Sequence, residues 1–206
     1  PPRPDGTFRA DGSITLISGG PLTALVDTGG PWGRDHLVEL LATEGLRPND
    51  VTHVICTHGH SDHVGNVNLF PEAVLVVGGD LSGPGGWYRP TALARGVPHV
   101  LHPGFLEVTP TPGHTLSHVS VVVRGTALGT AVVAGDLFER EEEEEEEWMA
   151  LSEDVGKQRE SRGRVLAVAD VVVPGHGAPF RVCRGGEEGS GEEEEEEEGE
   201  GGDPEA

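Results

Sequence analysis

The chain has 206 residues, 35% of them hydrophobic, and a formal net charge of −22. This length allows one domain with a sizeable core plus tails. Two cysteines exclude a disulfide framework and a cysteine-rich zinc knuckle, and we expect a reducing, intracellular setting. No apolar stretch approaches the ~20 residues of a spanning helix, so we expect no membrane association.

The negative charge is concentrated in two segments. Residues 141–147 contribute seven glutamates and residues 187–206 contribute twelve acidic groups, which leaves 17 acidic residues against 14 lysines and arginines elsewhere. Acidic runs repel themselves and bury no apolar area, so we expect a solvated, disordered loop at 141–147 and a disordered acidic tail at 184–206. Residues 1–183 then form the folded domain. The runs would repel a phosphate backbone, or attract a basic protein partner.

The first third of the chain predicts three strands and one helix. Residues 13–17 and 22–26 are short strands joined by a Gly-Gly-Pro turn. Asp35 begins an amphipathic helix with Leu37, Leu40 and Leu41 on one face. Residues 51–56 form a buried strand, in which Cys56 is a small hydrophobic residue.

Later elements alternate between strands and helices. We predict a helix at 64–69, strands at 73–77 and 106–109, a hairpin of 119–123 with 130–134, a helix ending at 165–169 and a last strand at 171–173. Because strands pair locally, this order favours an αββα sandwich, two mixed β-sheets between helices, over a doubly wound parallel sheet.

The densest group of ligand-type residues is the segment THGHSDH at 57–63, directly after a predicted strand. On so tight a loop His58 and His60 point to one side, while Asp62 and His63 reach a neighbouring point. That geometry suits two metal ions a few ångströms apart. The alternative is a solvent-facing histidine cluster without metal, but desolvating several imidazoles together without a cation is costly.

Three further ligand types stand alone at predicted strand ends, each beside a glycine: His114, Asp136 and His176. Taken singly, each suits a cap or a core position. Together with the segment at 57–63, they predict one shared metal centre.

In this order the residues resemble the five motifs of the metallo-β-lactamase superfamily. The motifs are Asp27, the HxHxDH segment at 58–63, His114, Asp136 and His176, and the resemblance spans about residues 22–180. It implies two Zn²⁺ per chain, with iron or manganese as alternatives. One metal is expected on His58, His60 and His114, and the other on Asp62, His63 and His176.

The resemblance also assigns roles to the three aspartates. Asp136 would bridge the metals, and its being Asp rather than Cys resembles the hydrolases related to glyoxalase II. We assign catalytic roles to Asp62 and Asp136. Asp27 would orient a loop or a ligand histidine from outside the ligand set, with a simple turn former as the alternative. Two cations on such ligands lower the pKa of a shared water from about 15.7 toward 7, giving hydroxide for hydrolysis.

The local sequence at 26–32, 57–66 and 171–180 resembles a vertebrate branch of the superfamily more closely still. This implies a zinc-dependent endoribonuclease of histone pre-mRNA 3′-end processing, a homodimer of the cytosol and nucleus with RNA as substrate. The chain departs from that branch in two features: we expect the opening strand of the first sheet to be absent, and the glutamate run follows Asp136.

Three other functions stay open at this point. Thioester hydrolysis of the glyoxalase II type uses the same centre, and the ligands do not discriminate between bonds. The same fold also carries mononuclear iron dioxygenases that act on persulfides. A non-catalytic scaffold would keep the metals and hold a basic partner with its acidic tail.

Several residues receive no firm role. His36, His53, His99 and His102 are expected on the surface or satisfied in the core. His118 and the loop aromatics Trp32 and Trp87 are closer to the predicted site, but structural roles are the better interpretation for them too.

Overall fold

The computed structural model describes residues 3–20 and 22–183; the acidic tail expected at 184–206 lies outside them. Within those ranges the chain forms twelve strands and four α-helices. The helices are α1 (Arg34–Thr43), α2 (Ser61–Val64), α3 (Glu145–Ala150) and α4 (Val155–Val168). None of the helices in this described part has the length and apolar character needed to cross a lipid bilayer.

The first sheet contains six strands in sequence order. They are β1 (Thr15–Ile17), β2 (Ala24–Val26), β3 (His53–Cys56), β4 (Val74–Val77), β5 (Asp80–Gly83) and β6 (Trp87–Arg89). Strand β3 lies parallel to both β2 and β4, and the remaining pairs are antiparallel.

The second sheet also contains six strands and runs in the order β12-β11-β10-β9-β8-β7. They are β7 (His99–His102), β8 (Leu106–Pro110), β9 (Val119–Thr126), β10 (Gly129–Gly135), β11 (Val171–Pro174) and β12 (Phe180–Arg181). Strands β10 and β11 are parallel, and the other pairs are antiparallel. Since β8 and β10 both run antiparallel to β9, the carboxyl ends of β8, β10 and β11 lie at one edge.

Alternation along the strands divides the core into three layers. Val121 and Val123 of β9 pack in a central cluster that contains residues of both sheets. Val122 between them faces the opposite way and packs with Val165 of α4, as the two-residue period of a strand requires. A third cluster joins Leu37 of α1 to the outer face of the first sheet. The helix–sheet–sheet–helix order confirms the predicted αββα sandwich with two mixed sheets.

Most predicted strands are confirmed to within two residues, but the helix predicted at 64–69 is wrong. Helix α2 ends at Val64, and only a 3₁₀ turn follows at Val67–Leu69. The side-chain amide of Asn66 donates to the carbonyls of Thr28 and Gly30, at 2.8 Å each. These bonds hold the backbone in a turn where a helix would have continued.

The disordered loop predicted at 141–147 is also wrong. Residues 145–147 form the first turn of α3, and the Glu143 side chain is 1% exposed. Arginines neutralise part of the run, because Glu143 pairs with Arg162, Glu145 with Arg159 and Glu147 with Arg140. Composition alone does not show which charges meet in the fold, so the arginines that pair with the run could not be identified from it.

Candidate metal centre

The histidine-rich segment lies on the turn between β3 and α2. Strand β3 is buried from Val54 to Cys56, so its end is fixed in the core. His60 is the extended N-cap residue of α2, and Asp62 and His63 lie in the first turn of that short helix. His58 and His63 are fully buried, whereas His60 and Asp62 retain contact with solvent. The local chain therefore presents four ligand-type side chains at one rim.

The three isolated ligand types reach the same rim because they follow strands whose carboxyl ends share one edge. His114 lies in the loop after β8, Asp136 follows β10 directly, and His176 follows β11. A Cβ at Gly175 would overlap the Asp136 carboxylate. Glycine at that position therefore lets the backbone before His176 pass directly beside Asp136.

The Asp136 carboxylate is the centre of this cluster. Its Oδ2 lies 3.4 Å from His114 Nε2, 3.5 Å from His58 Nε2 and 3.4 Å from His176 Nε2. Its Oδ1 lies 3.1 Å from His63 Nε2. One carboxylate therefore contacts histidines of both predicted metal positions.

The donor atoms fall into overlapping groups whose members lie within 4.8 Å of one another. One group is His58, His60, His114 and Asp136; another is Asp62, His63 and His176; a third is Asp136, Glu139 and His176. The first two groups reproduce the division that the resemblance implied. All seven predicted ligand residues are thus brought together, while their coordination of metal stays a prediction.

The geometry fits divalent metal. Zn–N bonds of about 2.0–2.1 Å in a tetrahedron place neighbouring ligand atoms about 3.3–3.4 Å apart, close to the contacts around Asp136. His63 Nε2 and Asp136 Oδ1 are buried and lack a hydrogen-bond partner among the described residues. Buried polar atoms are seldom left without partners, and a cation between these two would satisfy both.

Asp27 holds the cluster from behind. Its carboxylate accepts hydrogen bonds from Thr57 N at 2.7 Å and from His63 Nδ1 at 2.9 Å. With Nδ1 engaged, the Nε2 atom of His63 points to Asp136. This contact is the one expected of a residue that orients a ligand histidine. Asp27 also has a φ of 59°, a left-handed conformation that few non-glycine residues adopt.

Burial and neighbouring carboxylates shift the pKa values of the histidines in opposite directions. Burial lowers the pKa of His58 and of His114, so their imidazoles are neutral and able to bind metal. Burial also acts to lower the pKa of His63, but the adjacent carboxylates of Asp136 and Asp27 outweigh it and raise the value to about 10. A hydrogen bond to Asp136 raises the pKa of His176 to about 8.

Asp136 keeps its negative charge despite burial. Burial acts to raise the pKa of this carboxyl, but the hydrogen bond to His176 and the adjacent imidazole of His63 lower it well below its usual range. Metal would compete with protons for His63 and His176, because a histidine binds metal only in its neutral form.

Two residues of the cluster were missed or underrated from sequence. Glu139 Oε1 lies 4.0 Å from His114 Nδ1, and Glu139 Oε2 lies 3.8 Å from His176 Nε2. Burial, and then the charge of Asp136, raises the pKa of Glu139 to about 7. His118 is buried with its ring stacked on His58 at 5.3 Å, and burial lowers its pKa to about 3. Its spacing from His114 was the available signal, whereas Glu139 was hidden next to the glutamate run.

The N-terminal segment also supports the ligands. The Asp11 carbonyl accepts a hydrogen bond from His176 Nδ1 at 3.2 Å, and Gly12 N donates to the Asp62 carbonyl at 3.2 Å. Almost any residue type offers the same backbone groups, so these contacts could not be predicted from the sequence. Of the two loop tryptophans, Trp32 lines a groove beside Asp62, and Trp87 is absent from that groove's lining.

Comparisons with known proteins agree with this geometry. The chain is 58% identical to "Metallo-beta-lactamase domain-containing protein 1" of Xenopus laevis, over 87% of this chain and 76% of the relative. It is 57% identical to the Homo sapiens protein of the same name, over 88% of this chain and 67% of that one. A candidate metallo-beta-lactamase from Thermotoga maritima superposes with a TM-score of 0.64 at 18% identity, covering 87% of this chain and 92% of that structure, which shows a shared fold.

A family model agrees over most of the chain. The "Metallo-beta-lactamase superfamily" model matches residues 8–176, a range that contains the whole cluster from Asp27 to His176. The match therefore covers the stretch of chain that carries the cluster. The chain belongs to the metallo-beta-lactamase superfamily of metal-dependent hydrolases.

Proposed function

We propose that this chain is an endoribonuclease that uses two Zn²⁺ ions to hydrolyse RNA phosphodiesters. The observation that carries the metal-dependent part is the Asp136 carboxylate, which contacts histidines of both donor groups. The RNA part is supported by the resemblance of 26–32, 57–66 and 171–180 to a vertebrate branch of the superfamily. The homodimer and the location in cytosol and nucleus are proposed on that resemblance alone.

The chain's own residues prepare the centre for this chemistry. Bound divalent metal supplies a nucleophile at neutral pH and stabilises charge that develops on the substrate. Asp136 holds the two donor groups at one point, and Asp27 fixes the ring of His63. Asp62, at the solvent-facing rim, and Glu139, behind His114, are carboxylates able to accept a proton there.

The charge distribution is compatible with an anionic substrate. Two divalent cations held there would offset the carboxylates of Asp27, Asp62 and Asp136, and either ion would be able to accept an oxygen of a phosphodiester. Three glutamates of the run at 141–147 are paired with arginines, which reduces the repulsion expected from the sequence.

The direct test compares substrates on one zinc-loaded preparation. We expect internal cleavage of a single-stranded RNA and little hydrolysis of S-lactoylglutathione, a thioester. His58→Ala and Asp136→Ala should lose at least a thousand-fold in kcat/KM, since each removes a side chain from the centre of the cluster. His36→Ala, on the exposed face of α1, should stay within twofold of the parent.

Other outcomes would identify the alternatives. Thioester turnover without RNA cleavage would support the glyoxalase II type of hydrolase. One iron per chain with oxygen consumption would support a persulfide dioxygenase. Tight binding of a basic protein with neither hydrolysis would support a scaffold. Full RNA cleavage by metal-loaded His58→Ala would refute the assignment of the centre.

A further inference from the structure

A groove of about 370 Å³ opens beside the candidate metal centre. We call it the Trp32 groove, and it is lined by Phe8, Arg9, Ala10, Trp32, Ser61 and Asp62. Asp62 belongs to a donor group of the cluster. Any molecule in the groove would therefore lie next to the reacting centre.

The groove presents an unusual aromatic surface. The Trp32 side chain is 63% exposed and Phe8 is 69% exposed, although burying such rings is among the larger stabilising contributions in a protein. The indole rests against the backbone of Gly30, where a Cβ would lie within 2.9 Å of three ring atoms. Glycine thus supports the ring from one side and leaves the rest of it open.

The segment that carries Phe8 and Arg9 is tied to the ligand loops. Ser13 N donates to the Gly175 carbonyl at 2.7 Å, beside His176. The Asp11 carboxylate accepts from Gly30 N at 2.9 Å, which joins this segment to the turn before Trp32. The aromatic surface and the metal centre are therefore fixed relative to each other through one backbone hydrogen bond and one to the Asp11 side chain.

Arg9 adds a positive charge to the groove. Across residues 3–20 and 22–183, no carboxylate lies within ion-pairing distance of its guanidinium, unlike Arg159 or Arg162. An exposed cation beside exposed rings is suited to a ligand with a planar face and an anionic group. A neutral acyl chain would use the rings but has no anionic group for the arginine.

We propose that the Trp32 groove binds one nucleotide of a single-stranded RNA, with the base stacked on Trp32 and a phosphate paired with Arg9. This rests on the proposed RNA substrate and names the part of the chain that would recognise it. Bases stack on aromatic side chains without needing a particular sequence, and guanidinium forms strong paired bonds with phosphate. The groove would hold the nucleotide adjacent to the phosphodiester at the centre.

The test uses ligands that the enzyme cannot cleave as RNA. Adenosine 5′-monophosphate and ribose 5-phosphate share a phosphate and differ by the base. Binding to zinc-loaded protein is followed by calorimetry. We expect the nucleotide to bind at least tenfold more tightly, the range that stacking of one base supports. Trp32→Leu should abolish this preference, and Arg9→Gln should weaken both ligands by the same factor.

Matched controls separate stacking from general damage. Trp87 is 76% exposed on β6 and outside the groove, so Trp87→Leu should keep the full preference. Arg95→Gln, also at an exposed position, should leave both affinities unchanged. Equal binding of the two ligands to the parent would overturn the proposal, and so would a preference for the nucleotide that survives in Trp32→Leu. Octanoate serves as a probe with an acyl chain. If Trp32→Leu weakens the binding of octanoate but not that of the nucleotide, the proposal also fails.

The outcomes distinguish the groove from the proposed function. If RNA is cleaved equally by the parent and Trp32→Leu and no base preference exists, the groove assignment fails while the endoribonuclease stands. If the base preference depends on Trp32 but RNA is not cleaved, the groove binds nucleotides and the endoribonuclease fails.

Discussion

Asp27 has three features that rarely coincide in one residue. It is buried, it has a left-handed backbone, and it accepts hydrogen bonds from both the Thr57 backbone and the His63 ring. A non-glycine residue in that conformation stores strain that the surroundings must offset. Asp27 therefore does more than form a turn, because its carboxylate fixes the ring of His63.

Asp27→Asn tests this function without disturbing the backbone, since asparagine tolerates the left-handed region well. The change removes the negative charge behind His63, and we expect zinc affinity to fall 10- to 100-fold at one site. Competition with a chromophoric chelator measures it. Asp35→Asn, at an exposed position in α1, is the control and should keep parental affinity. If Asp27→Asn binds zinc as tightly as Asp35→Asn does, the Asp27 carboxylate does not orient His63 for metal binding.

At the residue scale, the candidate metal-binding side chains that residue type marks could be predicted from the sequence. The segment at 57–63 and the lone His114, Asp136 and His176 are ligand types at strand ends, and the fold brings them together. Glu139 failed to stand out because a run of glutamates begins two residues later. Asp11 contributes a backbone carbonyl, which any residue would offer, so no pattern could have marked it.

At the scale of elements, α4 and the glutamate run depend on each other through Arg162. Its guanidinium lies 4.1 Å from the ring centre of Phe138 and 4.7 Å from that of Trp148. It also donates to the Leu137 carbonyl at 2.9 Å and pairs with the buried Glu143. The long arginine side chain thereby organises a segment whose composition alone predicts disorder.

Arg162→Ala should destabilise the fold by about 3–5 kcal/mol, because it leaves the buried Glu143 carboxylate without an opposite charge and with only the Glu139 N–H as a hydrogen-bond donor. Arg159→Ala offers a matched control, since its pair with Glu145 is more than half exposed and should contribute about 1 kcal/mol or less. Urea denaturation of both variants gives the comparison. A similar loss in the free energy of unfolding for the two variants would show that the buried pair of Arg162 and Glu143 stabilises the fold no more than an exposed pair does.

Helix α4 begins with a cap that should respond to pH. The Asp154 carboxylate accepts from Lys157 N at 3.0 Å, and hydrogen bonds to Lys157 lower its pKa below the usual 3.8. A lowered folded pKa means that the contribution is complete above about pH 4 and is lost as the pH falls through the folded value. Asp154→Ala should therefore lower Tm at pH 7, by an amount that shrinks below pH 3.8.

The control for this cap is Asp154→Asn, which keeps an oxygen that can accept from Lys157 N. Its Tm at pH 7 should lie nearer the parent than that of the alanine variant. Thermal unfolding followed by circular dichroism from pH 7 to pH 3 measures all three proteins. A Tm difference for Asp154→Ala that stays constant, or grows toward pH 3, would contradict the capping argument.

For elements, the apolar period of two located the buried strands and the edge strand β1, but it missed β5 and the other edge strands, β6, β7 and β12. Strand β6 is exposed at all three residues, and β7 is only partly buried, so neither has an apolar pattern to recognise. They are strands because a neighbouring strand offers backbone hydrogen bonds. Helix α3 was missed for a related reason, since its pairing with arginines of α4 is a tertiary contact.

At the scale of the whole molecule, the sandwich explains why distant residues meet. Parallel pairing of β10 with β11, and the double reversal from β8 to β10, bring the carboxyl ends of three strands to one edge. The turn after β3 presents the histidine segment at that same rim, as the contacts of Asp136 show. The layer order could be predicted from alternating strands and helices. The distances at the rim could not, because they depend on the register between sheets.

The number of metal ions that each chain binds is the most direct test of this account. Metal-free protein is dialysed against zinc, freed of excess by gel filtration and analysed for zinc and protein together. We predict two zinc ions per chain, and one or fewer for Asp136→Ala, because this carboxylate contacts histidines of both donor groups. A parent chain that binds no metal, or that holds a single iron and takes up no second ion, would contradict the two-metal centre.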